Sequence, residues 1–484
     1  MLTFQDFTAA TNRIEFIIKA INEHKSSDAF KIAQAAEEYD LQRNVTINNA
    51  IRKIYNAMGV AIADPTASNN RIASNFLHRL LTQRVTYSLG NGVTFTDNQR
   101  EDVNPDGTKV TIDTTKEKLG DDFDTVLYKI AYEAEKSGSS YALLNYDSAE
   151  GYTLHLFKLI EFVPLLDEYD GTLRAGIRFW SLDWNNKPVT AVLYEEDGFT
   201  VYRTRANSKG LDLIEFEPKH KYMQIVQTTA ALGDDIVGEE NYSAGVPIVP
   251  MYGKNKQSAL VGMQSAIDSY DLIQSGFAND LTDCAQIYWM IGNANGMTEE
   301  DIKQFRERLL YQHVALADLS NSSVTPYTQE IPYNARDAYL SRIERAIYRD
   351  FGAFKVEDIA AGNVTATQIQ AAYQSMDEEA DDFEYRCIEF IRQVLALMGI
   401  DDMPTFKRNR ISNQLEQVQM VMMEANYLDD MTVLQLLPNI TPDMIEGILA
   451  RRDGEEQTRF DDEEDETPSD AQNSPNERVT EQEV

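Results

Sequence analysis

The sequence is poor in the residues on which most protein chemistry depends. Only two of its 484 residues are cysteine, Cys284 and Cys387, far apart in the chain. That excludes a disulfide framework and a CxxC metal knuckle within one chain, and it fits a reducing cytoplasm or a particle assembled in one. The five histidines are His24, His78, His155, His220 and His313. No two share a helical turn, so no HExxH-type zinc pair exists. A GxSxG nucleophile elbow is absent. The nearest approach to a phosphate loop, Gly245 to Asn255, puts seven residues between Gly245 and Gly253 where a P-loop has four. Asn255 stands where a Ser or Thr would hold magnesium, and Pro247 and Pro250 remove backbone donors. No apolar run approaches the ~18 residues that span a bilayer. The opening MLTFQDFTAA lacks a basic segment followed by an apolar one, so no signal peptide is expected. Cations are scarce too: 44 Lys and Arg face 79 Asp and Glu, a net charge of −35. A general surface of that sign repels phosphate. No metal, nucleotide or other cofactor is expected, and no enzymatic activity.

What the sequence does hold is material for cores. Hydrophobic residues make up 43%, with 24 Tyr and 20 Phe, and the length calls for two or more packed units. Residues 1–60 read as helical, with Ile14, Ile17, Ile18 and Ile21 on one face. A second helix is expected from Asn70, carrying Ile72, Phe76, Leu77, Leu80 and Leu81, then a β-like segment from Val85 to Phe95 and a polar loop over 97–115. A third helix spans Phe123–Lys136. Strands follow at 141–146, 152–157, 173–180, 190–194 and 199–203, with turn pairs Asp170-Gly171, Asn185-Asn186 and Asp197-Gly198, as one antiparallel meander. Helical spacing returns from Met263 to Cys284, over Thr298–Gln312 behind a Thr298/Asp301 capping box, and over 333–354. The longest helix covers 365–398. Its seam (Ile369, Tyr373, Met376, Ala380, Phe383, Cys387, Phe390, Val394, Leu397) alternates steps of four and three, as in helices packed lengthwise. The last 31 residues, from Gly454, carry 12 acids and two bases with no apolar stripe, which predicts a disordered tail.

Charged clusters admit a bland and a functional reading. Asp121-Asp122-Asp124, Asp167-Glu168-Asp170 and Asp377–Asp382 suit a helix start, a turn and a wet helix face better than a metal site. Arg336, Arg342, Arg345 and Arg349 on one helix, and Lys407, Arg408 and Arg410, either touch phosphate or pair with local acids such as Glu344 and Asp350. Pairing is the expected outcome.

The order of these elements resembles the portal proteins of long-tailed bacteriophages across residues 40–452. The resemblance rests on Asn70–Phe95 (with Gly92 where the family has proline), on Gly138–Trp180, and on Ala244–Pro250 followed by Ser265–Asp283. It continues through Asn363–Ile369, and through Phe406–Arg410 with Pro438–Glu446. It implies a mainly helical α+β portal fold. Residues 1–262 would form the wing, 263–284 the first stem helix, 285–332 the clip and 333–354 the second stem helix. Residues 355–364 would be a tunnel loop, 365–398 a long wing helix, 399–453 a helical crown and 454–484 the acidic tail. It further implies a homo-oligomeric ring, typically of twelve subunits, at one capsid vertex of the virion, assembled in the host cytoplasm. Double-stranded viral DNA would pass through its channel during packaging and ejection. Partners would be the terminase large subunit, a head-completion adaptor, and the major capsid and scaffolding proteins, with no membrane. Twelve copies carry roughly −420 formal charges, so the channel wall would let DNA slide. The DNA-facing candidates are Lys355, Val356, Glu357, Asp358, Gly362 and Asn363, with Lys355 the loop's one cation. The clip candidates are Ile287, Tyr288, Trp289, Met290 and Ile291, an apolar β-like run. Other classes compatible with the residues are a cytoplasmic helical scaffold or adaptor without a channel, and a nuclease or ATPase of the packaging motor. The missing phosphate loop argues against the latter.

Overall fold

The computed structural model describes residues 2–55, 60–63, 68–103, 109–147, 151–181, 188–205, 211–229, 235–243, 245–284, 288–292, 298–301, 303–304, 323–327, 333–353, 355 and 366–409, with scattered residues between 418 and 448. The chain divides into two compact units: Met1–Val364 with Ile369–Asn409, and Thr365–Gln368 with Arg410–Val484. Among the described residues of the second unit the main element is helix Asp430–Leu436.

The first unit begins with four short helices where the sequence suggests one continuous helical stretch: α1 (Phe4–Ala9), α2 (Arg13–Ser26), α3 (Asp28–Asp40) and α4 (Val45–Asn48). The breaks are local. Thr3, Asn12, Ser27 and Asn44 each accept backbone N–H groups at a helix start, so each restarts the chain in a new direction. Strands β1 (Lys53–Tyr55) and β2 (Ala61–Ala63) then pair antiparallel. Helix α5 (Phe76–Leu89) runs through the segment expected to be β-like; only Val93–Phe95 (β3) is strand. Val85 and Leu89 are buried on the same side as Leu81, and that packing outweighs their β propensity. The expected loop at 97–115 holds a hairpin of β4 (Gln99–Val103) and β5 (Lys109–Asp113), whose polar composition hides it, and the start of α6 (Thr114–Leu119). Helix α7 (Phe123–Ser137) follows.

The expected single meander is two sheets. β6 (Ser139–Asp147) and β7 (Gly151–Lys158) belong to a three-stranded sheet closed by β15 (Ile248–Tyr252), in the order β15-β6-β7. β8 (Phe162–Leu166), β9 (Leu173–Trp180), β10 (Thr190–Glu195), β11 (Gly198–Thr204) and β12 (Leu213–His220) form a five-stranded antiparallel sheet. β8 reads FVPLL with its first four residues buried; with both faces covered it shows no alternation to betray it. Glu195 pairs with Gly198, so the turn is Glu196-Asp197, one residue earlier than the Asp-Gly pair suggests. β13 (Met223–Thr229) and β14 (Asp235–Asn241) pair with each other. The Gly245–Gly253 segment is mostly β15, an edge strand paired with β6 rather than a phosphate loop.

Three long helices complete the unit: α8 (Gln264–Cys284), α9 (Tyr333–Phe351) and α10 (Ala366–Leu397). The α10 seam packs as its spacing predicts. Phe383, Cys387, Phe390 and Val394 are buried against Leu127, Ile130, Ala142 and Leu144 of α7 and β6. Burial pushes the Cys387 thiol well above its usual range, so it behaves as core rather than as a nucleophile. After α10 the chain returns as β18 (Pro404–Phe406), which pairs with β3. A second core places Phe16, Ile17 and Ile21 of α2 on Val163, Ile177 and Leu193 of the five-stranded sheet. A third joins α3, α5, α8 and α9 through Ala36, Leu77, Leu80, Met263, Ile267, Ile347 and Phe351.

Phe383→Ala should lower unfolding stability by about 3–5 kcal/mol, because the fully buried ring leaves a cavity in a seam that cannot close over it. Tyr385→Ala, two residues on and 71% exposed, should stay within about 0.5 kcal/mol of the parent. Urea titrations of the two variants decide the point; equal midpoints would remove α10 from the core.

Candidate functional site

Helix α8 buries one residue in four: Met263, Ile267, Asp271, Ser275, Asn279. The stripe begins apolar and turns polar halfway, and the polar half has an unusual partner. Asn70 N–H donates to Asn279 Oδ1 (2.5 Å), Ile72 N–H to Ser275 Oγ (2.9 Å) and Ser74 N–H to Asp271 Oδ1 (3.0 Å). Two residues of extended chain rise about 6.6 Å and four of helix about 6 Å, so alternate amides meet every fourth side chain in step. Asn44 Nδ2 donates to the other Asp271 oxygen at 2.8 Å. Asp271 is fully buried, and burial pushes its carboxyl above the ordinary range despite these donors. Arg52 and Arg336 both reach Asp280.

Helix α9 lies on α8 through the cluster that holds Ile347, Tyr348 and Phe351. It ends in a Schellman motif: Gly352 N–H donates to Arg349 O (3.1 Å) and Ala353 N–H to Tyr348 O (2.9 Å). Gly352 sits at φ +72°, and a Cβ there would come within 2.6 Å of Glu379 Cγ. The outward faces of the pair stay open, with Leu272 52%, Leu281 55%, Tyr333 62% and Tyr339 45% exposed.

At the base of the pair five segments meet around two buried charges. Glu135 of α7, its side chain 2% exposed, receives Arg84 of α5 (2.9 Å) and Arg386 of α10. Arg84 also reaches Glu379 of α10 (3.1 Å), donates to Phe351 O (2.7 Å) and lies over the Phe351 ring. Lys254 completes the group at 2.7 Å from Glu379. An open cavity of about 240 Å³ borders it, lined in part by Arg84, Glu135, Asp350 and Phe351. A neighbouring cluster sets the buried Lys136 between Glu37 and Glu133 (2.9 Å), and Lys158 also reaches Glu37 (2.9 Å). Burial pushes the Glu37 carboxyl up, but its bonds to the two lysines outweigh that and hold it below the ordinary range. None of these networks is announced by a sequence motif, because each assembles residues from distant segments. On α8 the spacing pointed instead to Tyr270, Phe277 and Leu281, whereas the buried stripe runs through Asp271, Ser275 and Asn279 and leaves Leu281 exposed.

Of the DNA-facing candidates, Lys355 lies within the described residues; Val356, Glu357, Asp358, Gly362 and Asn363 lie outside them. Lys355 Nζ sits 3.0 Å from Glu344 of α9, a partner the local sequence did not single out. Of the clip candidates, Ile287 lies outside the described residues. Tyr288, Trp289, Met290 and Ile291 form β16 (Tyr288–Gly292), paired antiparallel with β17 (Ser323–Tyr327). Thr298 and Asp301 make the expected reciprocal cap (2.9 and 3.3 Å), while residues 305–312 of that helix lie outside the described residues. Local pairing holds for Arg349 with Asp350 (2.9 Å) and for Arg408 with Asp377, Asp381 and Glu384. The acidic runs are used structurally: Asp170 accepts from Thr172 in a turn, and Asp124 accepts from Val93 N–H and pairs with Lys116. Among the described residues no group of three or more His, Cys, Asp or Glu stands where it could hold a metal, and no helix is long and apolar enough to cross a membrane.

The family model described as phage portal protein, SPP1 Gp6-like, matches residues 18–468, and the chain belongs to that family. It is similar to the portal protein of Clostridium phage phiCD119, with 23% identity over 391 residues, covering 77% of this chain and 82% of the relative. It is also similar to the portal protein of Bacillus phage SPP1, 23% identical over 434 residues, covering 84% of this chain and 82% of the relative.

The lowered Glu37 fixes a pH dependence. A carboxyl held below its unfolded value adds stability above that value, and the gain is lost as pH falls through the folded one. Glu37→Gln should therefore be less stable than the parent at neutral pH, and the difference should shrink as pH falls below the usual ~4.3 of glutamate. Urea midpoints at pH 7, 5 and 3 test this; a constant difference across the range would show that the lysine bonds do not perturb Glu37.

Proposed function

We propose that the chain is the subunit of a portal ring at one vertex of a phage head, the channel through which double-stranded DNA is packaged and ejected. In this reading it has no catalytic centre. The observation that carries it is the α8–α9 pair: two long helices, packed on each other, that leave Leu272, Leu281, Tyr333 and Tyr339 largely exposed. A ring in which each pair abuts the next covers them. Membership of the portal family gives the ring its role.

Residues 1–262 then act as wing, α8 and α9 as stem, 285–332 as clip, 355–364 as tunnel loop, α10 as the long wing helix, 399–453 as crown and 454–484 as a solvated tail. The clip residues Ile287, Tyr288, Trp289, Met290 and Ile291, the last four in β16, serve contact with a neighbouring copy, the terminase large subunit and the head-completion adaptor. The tunnel loop, with Val356, Glu357, Asp358, Gly362 and Asn363, faces DNA. Its first residue is tied to α9 by the Lys355–Glu344 pair, so loop and stem move together at that point. The major capsid and scaffolding proteins surround the ring, which assembles in the host cytoplasm.

Negative-stain images of the purified chain should show rings with a central hole wide enough for a duplex; monodisperse monomers would favour a helical scaffold instead. Lys355→Glu puts two carboxylates face to face at Glu344. Rings should persist while DNA retention falls, and packaging equal to the parent would make the loop a passive connector. Placing charges at Ile287 and Trp289 should block ring formation or adaptor binding in a folded monomer; normal packaging would remove this strand from the clip.

A further inference from the structure

One face of α9 points directly away from the buried Ile347 and Phe351. At steps of three and four it carries Ala335, Ala338, Arg342, Arg345 and Arg349, all exposed, with no carboxylate among them. The acids that the sequence offers these arginines are engaged elsewhere or weakly held. Glu344 is taken by Lys355 at 3.0 Å. Asp350 meets Arg349 at 2.9 Å, but both side chains are more than half exposed, so the pair is weak. Arg336 leaves the stripe for Asp280 on α8. Arg342 and Arg345 make no ion pair or hydrogen bond among the described residues. In a chain of net charge −35, this leaves a continuous cationic line. From Arg342 to Arg349 the helix rises about 10 Å, over which one strand of a duplex presents about three phosphates.

We propose that Arg342, Arg345 and Arg349 are the phosphate-contacting band of the channel, carried on α9 just before the loop that opens at Lys355. This rests on the portal reading above. Two observations favour DNA over an acidic face of a neighbouring copy. The stripe offers only alanine and arginine, whereas protein interfaces bury aromatic and apolar groups at their centres; the exposed Tyr333 and Tyr339 lie off this line. The stripe is also continuous with the proposed DNA-facing loop, ending three residues before Gly352. Arginines repeated around an acidic bore give a sequence-independent, salt-sensitive hold on the backbone, confined to one level of the channel.

The test compares full-length rings of the parent, of Arg342→Gln/Arg345→Gln/Arg349→Gln, and of the matching triple lysine variant. A short labelled duplex is titrated by anisotropy at several salt concentrations, with ring integrity checked by negative stain. The glutamine rings should stay intact and bind about tenfold more weakly near ~50 mM salt. The slope of log affinity against log salt should be shallower by about two, since each phosphate contact contributes about 0.9. The lysine rings should keep the parent slope. Intact glutamine rings with an unchanged slope would overturn the proposal. So would glutamine chains that no longer form rings, since the arginines would then hold a neighbouring copy. A parent chain that forms no ring would instead sink the portal reading, and this proposal with it.

Discussion

Glu135 is the constraint on which the first unit turns. A carboxylate 2% exposed is costly unless it is fully paired, and here two guanidinium groups supply the pairing, one from α5 and one from α10. Because Arg84 also takes the Phe351 carbonyl, the same charge centre fixes where α9 ends. Apolar packing alone would let three helices slide past one another. A buried charge with directional donors allows one arrangement. The seam of α10, the end of α9 and the turn at Gly352 are thereby placed in one register.

The acidity of the chain acquires a structural meaning against this frame. The described basic groups that lie deep, Arg84, Lys136 and Arg386, are each surrounded by carboxylates, and two surface acidic runs are spent on caps, turns and Arg408. Carboxylates in excess are cheap on a wet surface. On α9, Arg342 and Arg345 stand one turn apart without an ion pair among the described residues.

Periodicity made the long elements legible. α7, α8, α9 and α10 fall within a few residues of the spans their spacing predicts, because each buries a stripe wide enough to show at 3.6 residues per turn. It misled where two signals competed. Residues 1–48 share an apolar face, yet Asn12, Ser27 and Asn44 cap new helices within it. β8 is buried on both sides, so it shows no alternation, and β4–β5 is too polar in composition to read as strand. The candidate site was legible in outline, as two long helices and a strand between them. Its working contacts were not: Glu135 with Arg386, Asn279 with Asn70 and Glu344 with Lys355 join positions that no local pattern connects.

The ladder on α8 carries the reasoning one step further. Its acceptors are side chains, and its donors are the amides of residues 70, 72 and 74. An apolar stripe continued from Met263 and Ile267 would have held that segment by area, at almost any sliding position. Asp271, Ser275 and Asn279 hold it at one position, since a shift of one residue breaks all three bonds and leaves a buried carboxylate and two buried polar groups unsatisfied. The cost of burying them is accepted in return for register. Such a fixed strap keeps α8 in one alignment with the segment of residues 70–74 that runs along it.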